Sequence, residues 1–220
     1  MKLPKEFFDR PTIEIAKNLL GCYLIHETIE NSDNYSTNSQ NSLMDNSEKP
    51  IPINRIIHKE GKCVGKIVET EAYLKDDPAS HSFNGKTKRN RMMFDNAGKA
   101  YIYFTYGMYF CFNVVTNKKE IGEAVLIRAL EPLEGIELMK KRRGIVDINN
   151  LCNGPAKLVI AMGIKKEQNG CDLLNGNLRL EKGVKINNES ILVGKRIGIS
   201  KGKELEHRFY IKDSKFMSIK

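Results

Sequence analysis

Gly65-Lys66-Ile67-Val68-Glu69-Thr70-Glu71-Ala72-Tyr73 reads as a β-strand, and its reading organises the rest of the chain. Residues two apart on a strand share a face, so Glu69, Glu71 and Tyr73 project together. Two carboxylates and a phenol make a poor core face and a good pocket floor. A second run, Tyr101-Ile102-Tyr103-Phe104-Thr105-Tyr106-Gly107-Met108-Tyr109-Phe110-Cys111-Phe112-Asn113, is rich in tyrosine and broken by a Gly-Met turn. Tyr101 and Tyr103 share one strand face, and Tyr106 falls near the bend. Between the two runs lies the basic loop Lys86-Thr87-Lys88-Arg89-Asn90-Arg91. Acid, aromatic and base in one segment point to an enzyme of nucleic acid.

The composition agrees with that reading. The chain has 220 residues, of which 40% are hydrophobic, enough for a buried core. Its formal net charge of +9 favours an anionic partner, nucleic acid before a membrane surface. Mean hydropathy is −0.43, and no apolar run approaches the length that spans a bilayer. Met1 to Glu6 lack a signal-peptide apolar stretch, so an intracellular location is expected. The cysteines, Cys22, Cys63, Cys111, Cys152 and Cys171, are odd in number and form no Cys-x-x-Cys pair. Free thiols are expected, with neither a disulfide framework nor a zinc site.

Outside the central segment, Pro11 suits the first turn of a helix carrying Ile13, Ala16, Leu19 and Leu20, with Gly21 ending it. Cys22 to His26 reads as a strand. From Asn31 to Glu48, ten of eighteen residues are Asn or Ser, too polar to offset the entropy of ordering. This predicts a mobile insert at about residues 31–49 within one domain spanning 1–220. A strand resumes at Asn54 to His58, and Glu60-Gly61-Lys62 reads as a hairpin turn. Strands are expected at Ala100 to Phe104, Tyr109 to Thr116 and Glu123 to Leu130. Pro132 then precedes a helix from Leu133 to Arg143, whose basic last turn suits the helix dipole. Asn153-Gly154-Pro155 caps a helix through Met162. Arg196 to Ile199 and Arg208 to Ile211 read as strands. The pattern is α+β, one domain, mostly antiparallel.

Several blocks resemble the alkyladenine (3-methylpurine) DNA glycosylases. They are Gly65 to Tyr73, Arg89-Asn90-Arg91, Tyr106-Gly107-Met108-Tyr109-Phe110-Cys111, Arg128-Ala129-Leu130-Glu131-Pro132 and Leu151-Cys152-Asn153-Gly154-Pro155-Ala156-Lys157-Leu158. The similarity runs in order from Leu3 to the end of the sequence, apart from the Asn/Ser insert. It implies a curved, barrel-like antiparallel sheet with surrounding helices and a protruding hairpin. It also implies a monofunctional enzyme that flips a damaged purine out of duplex DNA. Water then cleaves the N-glycosidic bond and leaves an abasic site, with no metal, cofactor or lysine Schiff base. The implied partner is double-stranded DNA holding one alkylated or deaminated purine, bound by a monomer.

The same resemblance assigns roles. Glu71 matches the general base, and Arg128 a residue that helps hold the water; the carbonyl of Ile197 matches a further water contact. Tyr73, His81 and Tyr103 match the walls of the base pocket, where aromatic faces attract a cationic alkylpurine. Asn113 matches a residue that discriminates against the amino group of guanine. Tyr106 matches the wedge that fills the gap left by the flipped base. Arg89, Arg91 and Lys157 are candidate phosphate contacts. The spacing before His81 is one residue shorter than the family's, the tail from Glu204 to Tyr210 differs from the family form, and the chain has no Trp. Two other readings of the residues stay open: Glu69 and Glu71 as a glycoside-hydrolase pair, and a tyrosine-rich surface that stacks single-stranded RNA without chemistry.

Overall fold

The structure is a computed structural model describing residues 1–30, 58–105 and 107–218. The Asn/Ser insert, the strand expected from Asn54, and Tyr106 at the hairpin bend lie outside these residues.

Helix α1 (Thr12–Asn18) leads into strand β1 (Tyr23–Glu30), which pairs with the long β2 (His58–Tyr73). Strands β3 (Ala100–Thr105) and β4 (Tyr109–Thr116) form a hairpin, and β5 (Glu123–Glu134) follows. Helices α2 (Ile136–Arg143) and α3 (Pro155–Met162) come next, then the short strands β6 (Leu178–Glu181), β7 (Ile191–Gly194) and β8 (Arg208–Ile211). The sheet runs β3-β4-β5-β2-β1-β6, with β8 joining β2 and β7 joining β8. Every pairing is antiparallel. The sheet curls into a half-barrel, and the fold is α+β, as the residue pattern predicts.

Strand alternation divides the sheet into two chemical faces. Ile102, Phe112, Val114, Val125 and Ile127 point into one core with Ile15 and Ala16 of α1, Leu19 just after it, and Leu158, Val159 and Met162 of α3. Large side chains taken fully out of water contribute roughly 1.5–3 kcal/mol each, so this face seats the helices. The residues between them, such as Tyr101, Tyr103, Cys111, Asn113, Leu126 and Arg128, turn to the concave side.

Four local expectations are corrected. Glu60-Gly61-Lys62 is no turn; β2 runs through it, and a register shift opposite Thr28 and Ile29 absorbs the extra residue as a bulge. Pro132 does not precede a helix. It lies within β5 opposite Gly65, where the register again slips, the kind of place a strand tolerates a proline. The helix starts only after Gly135, whose φ of 76° and contact with the Lys62 carbonyl leave no room for a Cβ. Pro11 is the residue before α1 rather than part of its first turn. Arg196 to Ile199 is loop, because its backbone bonds go to side chains of the site described next.

Candidate active site

The second half of β2 lies between β5 and β8, and each neighbour brings an arginine to its two carboxylates. Glu71 has no exposed surface. Its Oε1 accepts from the Ile197 backbone N–H at 2.8 Å, and its Oε2 accepts from the Tyr73 hydroxyl at 2.9 Å. Arg128 Nη1 stands 3.1 Å from the same Oε2 and donates to the Ile197 carbonyl at 3.4 Å. Arg128 reaches this place because it is a bulge residue: Ile127 and Ala129 pair with β2, while Arg128 has no partner opposite.

Glu69 is equally buried but differently engaged. Its Oε1 accepts from Arg128 Nε at 3.2 Å, Arg208 Nη1 at 3.2 Å and the Ser218 hydroxyl at 2.9 Å, and its Oε2 from the Ser218 N–H at 2.7 Å. Glu69 thus pairs with two basic neighbours, Arg128 and Arg208. Two carboxylates that share one guanidinium, one of them saturated with donors, do not form the facing acid and nucleophile of a glycoside hydrolase. Burial works against the Arg128 charge, but Glu71 and Glu69 outweigh it and raise its pKa. Tyr73 is held well above the usual phenol range, by burial first and then by the neighbouring Glu71 charge.

Above these groups opens a cavity of about 610 Å³, within the roughly 300–1,000 Å³ typical of small-molecule sites. Tyr73, His81, Tyr103, Asn113, Arg128 and Ile197 all line it. Glu71 does not; it sits one layer beneath, and the three residues its carboxylate touches form the wall. His81 leans edge-on against Tyr103, ring centroids 4.4 Å apart, and its Nδ1 lies 2.9 Å from the Tyr101 hydroxyl. The loop carrying it is pinned by buried Asn90, which donates to the carbonyls of His81 and Gly85. Asn113 is buried, donates its amide to the Tyr101 carbonyl at 3.0 Å, and still borders the cavity. A second cavity, about 740 Å³, lies beside β1 and α3 and contains none of the tyrosines.

The candidate phosphate contacts are more scattered. Arg89 is exposed and donates to the Phe104 carbonyl at 3.1 Å, bracing the β3–β4 hairpin. Arg91 is exposed. Lys157, in the first turn of α3, bonds Asn153 at 2.8 Å, and Pro155 of that turn borders the cavity. Tyr106 lies outside the described residues. Beside it, Gly107 turns with φ 67°, and Phe104, Met108 and Tyr109 are exposed.

Sequence reasoning missed Arg196 and Ser218, and gave Tyr101 a strand face but no role. Tyr101 was legible as the face-mate of Tyr103, and burial pushes its hydroxyl up to about 12. Arg196 carried no local signal. It lies buried, pairs with Asp77, donates to the Ala72 carbonyl at 3.0 Å, and holds its guanidinium 4.7 Å from the Tyr73 ring centre. It thereby ties the loop bearing Ile197 to the loop bearing His81.

His81 keeps an exposed edge, yet it titrates below its usual value, because desolvation of the part packed against Tyr103 and Tyr101 disfavours its charge and Arg89 adds to that effect. The fold thus prefers the neutral ring. Stability linked to His81 is full above the ordinary value of 6.5 and is lost as pH falls below it, until the folded-state ring itself protonates. Arg89→Gln should raise the His81 titration midpoint in an NMR pH series. An unmoved midpoint would assign the effect to burial alone.

The site is thus an aromatic cavity over a buried acid–arginine pair, carried by an antiparallel half-barrel. The methylpurine-DNA glycosylase family model matches residues 53–215. A protein of Carboxydothermus hydrogenoformans, provisionally named a 3-methyladenine DNA glycosylase, is 43% identical over all of both chains. One of Methanoculleus marisnigri with the same provisional name is 41% identical over 99% of each, and one of Francisella tularensis 53% identical over 71% of this chain and 83% of its own. The chain belongs to the methylpurine-DNA glycosylase family, monofunctional enzymes that hydrolyse N-glycosyl bonds in DNA. Among the described residues no helix is long and apolar enough to cross a membrane.

Proposed function

We propose that this enzyme acts as an intracellular monomer on duplex DNA, through a single domain spanning 1–220. It turns one alkylated or deaminated purine out of the helix into the cavity bounded by Tyr73, His81 and Tyr103. Water then attacks the sugar C1′ and the purine departs with the bonding electrons, leaving an abasic site. Glu71 takes the proton from that water, which is held between the Ile197 carbonyl and Arg128 Nη1. An N3- or N7-alkylated purine carries a positive charge, so it leaves as a neutral base without help from an acid. Tyr106 refills the stack, Asn113 excludes the guanine amino group, and Arg89, Arg91 and Lys157 hold phosphates. With Tyr101 donating to Nδ1 of His81, Nε2 remains as the donor to a purine edge.

The observation that carries this reading is the Glu71 carboxylate, whose contacts with Tyr73, Arg128 and Ile197 place it directly behind one aromatic cavity. The test is a panel of duplexes, each with a single 3-methyladenine, 7-methylguanine, hypoxanthine or ethenoadenine. Alkali-labile abasic sites should form in at least one of them and not in undamaged duplex. No release from any lesion would sink the proposal. Binding of single-stranded RNA without turnover would favour a stacking module instead.

A further inference from the structure

Ser218 lies far from β2 in sequence and in none of the strands, yet it closes the hydrogen-bond network of the acid–arginine pair. Its hydroxyl donates to Glu69 Oε1 at 2.9 Å and accepts from both Nε and Nη2 of Arg128 at 3.3 Å. Its backbone N–H donates to Glu69 Oε2 at 2.7 Å. A hydroxyl has one proton and two lone pairs, and here all three are used. The guanidinium is thereby divided: Nε and Nη2 face Glu69 and Ser218, and Nη1 faces Glu71 and the Ile197 carbonyl.

Arginine can also lie flat against one carboxylate and bond it through two nitrogens. With Glu69 and Glu71 both buried within reach, that alternative would swing the fork wholly to one of them. Turned end-on to Glu69 through Nη1 and Nη2, it would draw Nη1 away from Glu71 and from the Ile197 carbonyl. By accepting from both Nε and Nη2 while donating to Glu69, the Ser218 hydroxyl holds that edge of the planar guanidinium toward Glu69, the orientation in which Nη1 points to Glu71 and the Ile197 carbonyl.

We infer that Ser218 is a positioning residue for base excision: it fixes the orientation of Arg128 so that Nη1 stays beside Glu71 and the Ile197 carbonyl. This rests on the reading of Glu71 and Arg128 as the reacting pair. Ser218 itself does not line the cavity.

The test compares Ser218→Ala, Ser218→Thr and Ser218→Val, with Glu71→Gln as reference. The duplex is the one whose lesion the wild type releases fastest. Thr and Val have the same shape, and only Thr keeps the hydroxyl. Single-turnover release at saturating enzyme should fall roughly tenfold in the Ala and Val variants, the factor that losing one charge-assisted hydrogen bond implies. Thr should restore most of it. The dissociation constant for duplex bearing an abasic analogue and the melting temperature should stay within error of wild type. Wild-type release by Ala and Val, with Glu71→Gln inactive, would overturn the role of Ser218 and leave the site reading intact. Equal slowing in Thr and Val, or slowing that tracks a lowered melting temperature, would also overturn it, by showing a packing role. Wild-type release by Glu71→Gln would overturn the site assignment and this inference with it.

Discussion

Glu71→Gln should slow excision by about 10²–10⁴-fold, the range that a positioned general base contributes, while damaged duplex still binds. Both oxygens of Glu71 face donors: the Ile197 N–H on one side, the Tyr73 hydroxyl and Arg128 on the other. A glutamine keeps the shape but must turn its NH2 toward one of them. Tyr73 can reverse its hydroxyl and accept, whereas the Ile197 N–H and Arg128 cannot. The amide therefore settles with its oxygen on Ile197 and its NH2 against Tyr73 and the guanidinium. The fold survives, the cavity walls stay in place, and the group that takes a proton from water is gone. Single-turnover release beside a binding titration separates the two effects. Release at the wild-type rate would show that another group does the chemistry. Loss of binding in step with loss of rate would show that the residue shapes the pocket.

Arg128→Met should lower stability by about 3–5 kcal/mol, the usual consequence of removing one partner from a buried ion pair. Its guanidinium is buried and is shared by two carboxylates with no exposed surface. Glu69 keeps Arg208 and Ser218, so most of the loss falls on Glu71, left with two neutral donors. At roughly 2–4 °C per kcal/mol for a domain of this size, the melting temperature should drop by about 10 °C. Arg128→Lys should recover only part of it, since a single ammonium cannot reach Glu69, Glu71 and the Ile197 carbonyl at once. Thermal melts of the three proteins decide this. A methionine variant as stable as wild type would show that the Arg128–Glu71 pair contributes nothing to the fold.

The resemblance and the plain alternation of β2 converge on the same side chains because both rest on strand geometry. Glu69, Glu71 and Tyr73 were placed on one face by period alone, and they share one network in the fold. Applied as strictly to Cys111 and Leu126, the same rule would have extended the cavity wall; they sit two residues from Asn113 and Arg128, which were already named. The rule failed where the backbone leaves its period. Pro132 and Gly61 fall at register slips, and a slip depends on the partner strand, which local sequence does not contain. Arg196 to Ile199 looked like strand because it alternates, yet the Ile197 backbone at its centre is bonded by Glu71 and Arg128 rather than by a neighbouring strand.

By itself the amino-acid sequence determined the α+β class, the acidic strand and the aromatic hairpin, while the resemblance to the family named Tyr73, His81, Tyr103, Asn113, Arg128 and Ile197 of the cavity lining. The first three are properties of spacing along one strand or helix, and they are set within a few residues. The tertiary structure alone decided that Glu71 lies beneath the cavity wall, that Glu69 is saturated and set apart from it, and that Arg128, Arg196, Arg208 and Ser218 converge from separate elements. Those contacts join residues scores of positions apart. Their energy exists only once the sheet has curled and shut water out, because burial is what turns a marginal surface ion pair into a strong constraint.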